Sequence, residues 1–258
     1  MGHDVRQAAA LLGRAHRVVV FTGAGISAES GVPTFRDALT GLWERFDAQE
    51  LATAEAFRDD PALVWGWYEW RRDSVRAARP NAGHLAVAAI EARVPNTVLI
   101  TQNVDDLHER AGSAAPLHLH GSLFAPRCSA CARPAPLPDA ASDEPTHGRR
   151  VPPPGCRGCA APVRPGVVWF GEALPETALA AAVDAASSCD LLVTVGTSGL
   201  VYPAAEVPQV AARLGTPVIQ VNPHRTPLDP VCAVNLRGPA ALVLPALVEA
   251  AWGGAGQG

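Results

Sequence analysis

The chain has 258 residues, 48% of them apolar, which is enough for one substantial α/β domain with a smaller lobe or for two modest domains. Its formal net charge of −4 provides no basic surface for nucleic acid and no polybasic patch for a membrane. The amino-terminal residues are unlike a signal peptide, and the apolar stretches carry charges or proline. We therefore expect a soluble, cytoplasmic protein without a membrane span.

Apolar stretches of strand length alternate with stretches of helical composition. We expect strands at 18–21, 97–101, 117–120, 167–170, 191–195, 217–221 and 233–236, and helices at 4–15, 39–58, 61–78, 80–93, 175–188, 203–214 and within 240–252, with a short helix ending at 112. This alternation predicts the α/β class, with a Rossmann-like, doubly wound parallel sheet. We assign 1–36, 80–123 and 165–258 to the sheet domain, and 37–79 (a helical insertion) and 124–164 (a metal-binding module) to a smaller lobe.

A glycine-rich turn follows the first apolar strand. The run GAGISA at 23–28 has the pattern G-x-G-x-x-A, in which glycines let backbone N–H groups approach a pyrophosphate at a helix N-terminus. Plain punctuation between a strand and a helix would give a similar run. Phe35 and Arg36 follow on a loop rich in glycine and proline, where they could cover a ligand.

Polar or glycine-rich clusters follow four of the predicted strands. These clusters are GAGIS at 23–27, TQNVDD at 101–106, GTSG at 196–199 and NPH at 222–224. In open α/β sheets ligands bind outside the carboxyl ends of the strands, so the four loops should converge on one crevice.

Four of the six cysteines form two C-x-x-C pairs, which are Cys128 with Cys131 and Cys156 with Cys159. Four thiolates match a closed tetrahedral structural zinc site, and the proline-rich segment between the pairs can close as a loop. The alternatives are a redox pair or four unrelated thiols.

Two histidines precede a Gly-Ser dipeptide near the third predicted strand. Imidazole titrates near neutral pH, so either His118 or His120 could act as a general base. Either could equally be a core histidine with a satisfied ring, and the residues alone leave the choice open.

The run GAGISAESGVPTFRD at 23–37 resembles the first signature of the sirtuins, which are NAD-consuming protein deacylases. TQNVD at 101–105 resembles a second signature, and the resemblance extends from about 17 to 240. The paired cysteines are similar to the structural zinc site of the same family, which is remote from the chemistry.

The resemblance implies a role for each matching residue. His120, directly before Gly-Ser, would be the catalytic base, and His118 would be structural. Asn103, counted with the catalytic residues, and Gln102 would contact the nicotinamide ribose, and Asp105 would hold the carboxamide. The other implied NAD contacts are Gly23, Ala24, Gly25, Ser27, Phe35, Arg36, Gly196, Thr197, Ser198, Asn222, Pro223, His224 and Ala240. Val168, Trp169 and Phe170 would pair with the substrate peptide by strand addition.

The reaction implied by the resemblance consumes NAD. The carbonyl oxygen of an acyl-lysine attacks the anomeric carbon as nicotinamide leaves. His120 then draws a proton from a ribose hydroxyl that attacks the resulting imidate, and water releases lysine and O-acyl-ADP-ribose.

The acyl group is indicated by Tyr68 and Arg71, which lie three residues apart and so on one helix face. A phenol beside a planar guanidinium can bind a carboxylate. Helix packing alone would explain the surrounding tryptophans. This spacing, with Thr34 in place of a common aspartate, is similar to the class III sirtuins, which remove succinyl and malonyl groups.

The sequence therefore predicts a protein-lysine desuccinylase and demalonylase with weaker deacetylase activity, whose partners are acylated proteins and NAD. A monomer is favoured. The alternatives are a predominant deacetylase, a protein ADP-ribosyltransferase of the same fold, and a non-catalytic module that binds NAD and zinc.

Overall fold

The computed structural model describes residues 2–32, 47–137 and 150–253. Its strands are β1 (Val18–Thr22), β2 (Val98–Thr101), β3 (Leu117–His118), β4 (Gly121–Cys128), β5 (Val163–Val167), β6 (Leu191–Val195), β7 (Val218–Val221) and β8 (Val234–Leu236). Its α-helices are α1 (Gly2–Leu12), α2 (Ala48–Leu51), α3 (Ala54–Asp59), α4 (Pro61–Ala77), α5 (Ala82–Arg93), α6 (Leu107–Arg110), α7 (Glu176–Ser188), α8 (Glu206–Arg213) and α9 (Ala240–Trp252).

Six strands form one parallel sheet in the order β3-β2-β1-β6-β7-β8. Counted within this sheet alone, the order is 3-2-1-4-5-6, the arrangement of dinucleotide-binding folds. Thr22 at the end of β1 lies opposite Thr101 of β2 and Val195 of β6, so three strands end at the same level. The predicted Rossmann-like sheet is confirmed.

Helices cover both faces of the sheet because successive strand residues point to opposite sides. Val18 and Val20 pack into one apolar cluster together with α1, α5 and α9. Val19 and Phe21 pack into a second cluster, together with α7 and α8. The central strand β1 is therefore buried on both faces, as its unbroken run of β-forming residues indicates.

A third apolar cluster joins α2, α3 and α4 to the antiparallel pair β4 and β5. Trp67 and Trp169 are at its centre, with exposures of 0% and 3%. Arg72 of α4, also fully buried, forms an ion pair with Glu69 and donates to the carbonyl of Leu123 in β4 at 3.2 Å. The assignment of these parts to a separate smaller lobe stays a prediction.

The structure differs from the expected elements in the regions around β4 and β5. A strand was expected at 167–170, whereas β5 ends at Val167, and β4 was not expected at all. Both strands contain proline, Pro126 and Pro165, which removes an N–H and obscures the strand pattern.

Smaller differences concern the ends of helices. Two short helices, α2 and α3, occupy 48–59, while 33–46 lie outside the described residues. Thr53 separates them and caps α3 by accepting from the N–H of Ala56 at 3.1 Å. Among the described residues, no helix has the length and apolar character that crossing a bilayer requires.

Candidate active site

The four predicted loops meet at the carboxyl ends of the central strands, around Thr197. Gln102 Nε2, after β2, donates to Thr197 Oγ1 at 2.8 Å, and Asn222 Nδ2, after β7, donates to the Thr197 carbonyl at 2.8 Å. Gly25, after β1, donates its N–H to the neighbouring Gly196 carbonyl at 2.9 Å. The four loops therefore converge at the switch point of the sheet, as the sequence predicts.

Gly23 and Gly25 allow the loops after β1 and β6 to touch. A Cβ on Gly25 would lie 2.7 Å from Gly196 Cα, and one on Gly23 would lie 2.9 Å from Thr197 Cα. The N–H groups of Gly25 and Ser27 donate within the protein, the latter to the carbonyl of Ala24. The expected helix N-terminus is replaced by two single 3-10 turns, at 24–26 and 28–30. In this structure, Gly23 and Gly25 are needed chiefly because they let the two loops pack against each other.

Ser27, which is 1% exposed, is the centre of a buried polar cluster. Its hydroxyl donates to Asp105 Oδ2 at 3.0 Å and accepts from Asn103 Nδ2 at 3.1 Å. His84 Nε2 lies 3.3 Å from the same oxygen, and its Nδ1 accepts from the Asn81 N–H, so the neutral ring carries its proton on Nε2. The cluster fixes the Asn103 and Asp105 side chains in the loop after β2.

The side-chain amide of Asn103 is hydrogen-bonded through Nδ2 but not through Oδ1. Its Oδ1 is buried and has no hydrogen-bond partner within the described part of the chain. An unpaired buried acceptor is costly, so a donor from a bound water or a ligand is expected to satisfy it. A ribose hydroxyl meets that requirement, which fits the role the sequence implies for Asn103.

Asp105 presents a buried carboxyl group beside this amide. Its Oδ1 accepts from the Leu107 N–H at 3.1 Å, so each carboxyl oxygen already receives one hydrogen bond. Burial raises the pKa of Asp105, against the effect of these hydrogen bonds and of His118. Each oxygen keeps a further lone pair that an amide N–H can use.

His120 lies against the same loop. Its Nδ1 is 2.9 Å from the carbonyl oxygen of Gln102, which can only accept, so Nδ1 carries the proton and Nε2 carries the lone pair. Burial lowers the pKa of His120, although the bond to Gln102 acts in the opposite direction. A half-buried imidazole with a fixed tautomer and the lone pair on Nε2 has the properties of a general base.

Two buried histidines that no sequence signature marks support the site. His84 and His108, 0% and 1% exposed, have ring centroids 4.9 Å apart beneath the loop after β2. His108 Nε2 donates to Thr22, which donates to Thr101 at 2.8 Å, and Thr101 Oγ1 accepts from the Asn103 N–H. The available signal was the N-x-x-H spacing of Asn81 and His84, which forms the N-cap of α5.

The loops after β6 and β7 carry most of the remaining implied NAD contacts. Ser198 Oγ accepts from the Leu200 N–H at 3.2 Å, and Asn222 Oδ1 accepts from the His224 N–H at 3.1 Å. His224 and its neighbour Pro223 are exposed, whereas Ala240 is buried at the start of α9. Phe35 and Arg36 lie outside the described residues.

On α4, Tyr68 contacts Trp169, and the charge of Arg71 interacts with that of Asp105 in the loop after β2. Tyr68 is 1% exposed, and its hydroxyl accepts from Trp169 Nε1 at 3.0 Å. Burial raises the pKa of Tyr68 to about 12, against the influence of Arg71 and Trp169. Burial lowers the pKa of Arg71, whose charge is favoured by Tyr68 and by Asp105. Arg71 is half-buried, whereas the fully buried arginine of this helix is Arg72.

The segment expected to pair with a substrate peptide uses its N–H groups internally. Val168 donates to the His120 carbonyl, Phe170 to the Ala52 carbonyl, each at 2.9 Å, and Trp169 to the Glu172 carboxylate. Strand addition through these N–H groups is therefore not available in this structure. Phe170, at 46% exposure, presents its side chain to solvent.

The four paired cysteines come together beside β4 and β5. Their sulfur atoms lie within 4.8 Å of one another, with separations of 3.5 Å (Cys128 to Cys159), 3.8 Å (Cys131 to Cys156) and 3.7 Å (Cys131 to Cys159). Tetrahedral Zn–S bonds of about 2.3 Å require sulfur atoms about 3.8 Å apart. N–H groups of Ala130 and Cys131 donate to Cys128 Sγ and favour its thiolate. These residues fit a structural zinc ion and leave no protein position open for catalysis.

Comparison with known proteins agrees with this geometry. The Sir2 family profile matches residues 23–203. A protein of Methylococcus capsulatus called an NAD-dependent protein deacylase is 61% identical over 236 residues, with 92% of each chain covered. The crystal structure of a Sir2 homologue in complex with NAD has a TM-score of 0.86 at 43% identity, covering 94% of this chain and 92% of that one.

A mutant Sir2 homologue in complex with 2′-O-acetyl ADP-ribose is equally similar. Its TM-score is 0.86 at 42% identity, and 95% of each chain is covered. The profile matches most of the chain, the sequence identity and the shared architecture extend over nearly its whole length, and this chain belongs to the Sir2 family.

Proposed function

We propose that the protein is an NAD-dependent protein-lysine deacylase that releases nicotinamide and an O-acyl-ADP-ribose. The observation that carries this function is the fixed tautomer of His120, whose Nδ1 is held by a carbonyl of the loop bearing Asn103, so that the lone pair is on Nε2. The relative from Methylococcus capsulatus bears the name of this activity, and a homologous structure holds an acetylated ADP-ribose.

The residues of the crevice would divide the binding of NAD between them. Asn103 Oδ1 and Gln102 accept or donate at the ribose next to nicotinamide, and Asp105 accepts from the carboxamide N–H. Thr197, Ser198, Asn222 and the exposed turn after β7 hold the adenosine side. When bound, NAD supplies the ribose that receives the acyl group.

Proton transfer falls to His120. The Gln102 carbonyl keeps the proton on Nδ1, so Nε2 takes a proton from the ribose hydroxyl that attacks the acyl carbon. The resulting imidazolium can donate through both nitrogens, and its Nδ1 bond to a carbonyl then becomes charge-assisted. The products distinguish this reaction from transfer of ADP-ribose to protein. Mass spectrometry should find O-acyl-ADP-ribose and free lysine, and ADP-ribosylated protein without O-acyl-ADP-ribose would contradict the proposal.

We further propose that the enzyme prefers acidic acyl groups. Tyr68 and Arg71 lie on one face of α4, and the charge of Arg71 is favoured by Asp105 of the loop after β2. A guanidinium whose charge is favoured by Asp105 can receive a carboxylate at the far end of a succinyl or malonyl group. Tyr68, held by Trp169, can donate its hydroxyl proton to the same carboxylate.

The variant Arg71→Met tests this preference. We expect kcat/KM for a succinyl-lysine peptide to fall about 100-fold, because truncating one partner of a desolvated, hydrogen-bonded charge pair costs about 2–5 kcal/mol. Turnover of the matched acetyl-lysine peptide should change by less than about threefold. Arg76→Met, on the same helix and paired with Asp73, is the control and should affect neither peptide. Equal losses on both peptides with Arg71→Met would show that Arg71 does not select an acidic acyl group and would contradict this part of the proposal.

The partners of the protein, its oligomeric state, its location and its contact with the substrate stay predictions. Acylated proteins would be the partners, the chain would act as a monomer in the cytoplasm, and the residues of the smaller lobe would hold the substrate from one side. Because the N–H groups of 168–170 are committed internally, we propose that the substrate backbone is bound there through carbonyl groups or side chains.

A further inference from the structure

His118 connects the two ends of the loop that carries the proposed NAD contacts. Its Nδ1 lies 2.9 Å from the carbonyl oxygen of Asn103, at the start of the loop. Its Nε2 lies 2.8 Å from Glu109 Oε1, in helix α6, to which the loop leads. Asn103 and Asp105 both lie within the span that this single ring closes.

The two partners of His118 decide its protonation state. A carbonyl oxygen and an ionised carboxylate can only accept hydrogen bonds, so both ring nitrogens must carry a proton. A neutral ring would turn one lone pair toward an oxygen lone pair. The geometry is therefore satisfied only by the imidazolium form, and the contact with Glu109 is then an ion pair.

The neighbouring ring two positions along the chain shows the contrast. His120 bonds the next carbonyl of the loop, that of Gln102, through Nδ1 alone and is satisfied when neutral. Successive carbonyls of one loop are thus held by two imidazoles, one neutral and one charged. The neutral ring is the proposed base, and the charged ring uses both of its nitrogens within the protein.

We propose that His118 is a positioning residue whose imidazolium, paired with Glu109, holds the loop bearing Asn103 and Asp105 in its NAD-binding form. The catalytic consequence rests on the proposed function, whereas the charge of the ring does not. Loss of the His118 proton breaks the contact with Glu109 and loosens the loop, so NAD binding and turnover fall on the alkaline side.

The groups that face His118 support a charge on the ring. Glu109 and Asp105 are acidic, and His108 of α6 is held neutral because burial lowers its pKa to about 3. Burial of His118 opposes its charge, but the bonds to Glu109 and to the Asn103 carbonyl outweigh this and raise its pKa above the ordinary value of 6.5. A raised pKa means that the contact is complete below about pH 6.5 and is lost as the pH rises through the pKa of the folded protein.

The variant Glu109→Gln separates this role from a merely structural one. The amide of the introduced glutamine can donate to the Nε2 of a neutral His118, so both hydrogen bonds survive without the charge. In the wild type we expect kcat/KM for NAD to fall roughly three- to tenfold from pH 7 to pH 9. This size corresponds to the loss of a partly exposed ion pair. With Glu109→Gln the fall should be less than about twofold. Glu176→Gln, in α7, is the matched control and should keep the wild-type profile.

Nitrogen-15 NMR of the imidazole rings provides the readout that does not depend on activity. The His118 resonances, assigned by their absence in His118→Gln, should show two protonated nitrogens at pH 7 in the wild type and one with Glu109→Gln. Calorimetric titration with ADP-ribose should show the same alkaline weakening as turnover. A neutral His118 at pH 7 in the wild type, or an unchanged alkaline fall with Glu109→Gln, would overturn the proposal. A charged His118 in a protein without deacylase activity would instead contradict the proposed function alone.

Discussion

Asn103 and His120 each have one polar atom bonded within the protein and one left for a ligand. Asn103 donates to Ser27 through Nδ2 while its Oδ1 has no partner among the described residues, and His120 uses Nδ1 while Nε2 keeps its lone pair. The internal bond fixes the orientation, so the remaining atom is presented without further loss of side-chain freedom. The chemical role of each side chain therefore depends on which of its polar atoms is already hydrogen-bonded within the protein.

The pH dependence at acid pH should report His120. Because burial lowers its pKa below 6.5, the neutral base persists as the pH falls through 6.5, and kcat/KM should decline only below that value. His120→Asn should reduce turnover by about 10²–10⁴-fold over the whole range and leave NAD binding within about threefold. Measurement of kcat/KM from pH 5 to 7, with calorimetry for binding, checks both statements. A decline centred above pH 6.5 would assign the proton to another group.

At the scale of elements, the loops after β1 and β6 depend on each other because their backbones are in contact. Gly25 and Gly196 leave no room for a side chain between them, and Gly196 has a φ of 61°, in the left-handed region. The contact brings the turn after β1 against the turn after β6. The crevice keeps its shape only while the two loops touch.

Gly25→Ala should separate these loops. A Cβ placed 2.7 Å from Gly196 Cα meets backbone, which cannot rotate away, so we expect a loss of about 1–3 kcal/mol in the free energy of unfolding. NAD affinity should fall with it, because the displaced loop lines the crevice. Gly155→Ala is the control, since its Cβ would lie at an ordinary 3.6 Å from the Ala160 carbonyl. Urea denaturation and calorimetry of both variants test the effect, and unchanged stability of Gly25→Ala would show that the loops can yield.

The elements differ in how far the sequence predicts them, for a physical reason. Strands β1 and β6 are continuous apolar runs buried on both faces, so their pattern is local and their bounds were predicted to within one residue. Strands β4 and β5 contain prolines and pair across more than thirty positions of chain, with Cys128 opposite Val163. Their pairing depends on the fold around the zinc site, which no local pattern describes.

Prediction of the site is likewise limited to what local sequence patterns describe. Motif residues such as Asn103, Asp105 and His120 stand out because a signature surrounds them. His84 lies in α5 and Glu109 in α6, outside any signature, and their importance comes from contacts with Ser27 and His118. Tautomers and charges of the histidines follow from such partners, which only the three-dimensional structure provides.

At the scale of the whole molecule, a polar layer lies between the crevice and the core of the sheet. His84 and His108 are buried there as neutral rings, and both support the loop after β2 through hydroxyl groups. Buried neutral histidines bind protons more readily in the unfolded chain than in the native one. Global stability is therefore linked to the same groups that shape the site.

Acid should destabilise the fold through these two rings. Burial lowers the pKa of His84 to about 4 and that of His108 to about 3, so unfolding takes up protons as the pH falls below 6.5. Each ring costs up to about 1.4 kcal/mol per pH unit until its folded pKa is reached. His108→Gln, whose amide can still donate to Thr22, should remove one of the two contributions and flatten the decline between pH 6.5 and 4. Urea midpoints at a series of pH values, with the exposed His224→Gln as control, measure the slope. Zinc loss affects all three proteins alike, so an equal slope in His108→Gln and wild type would exclude His108 as the source.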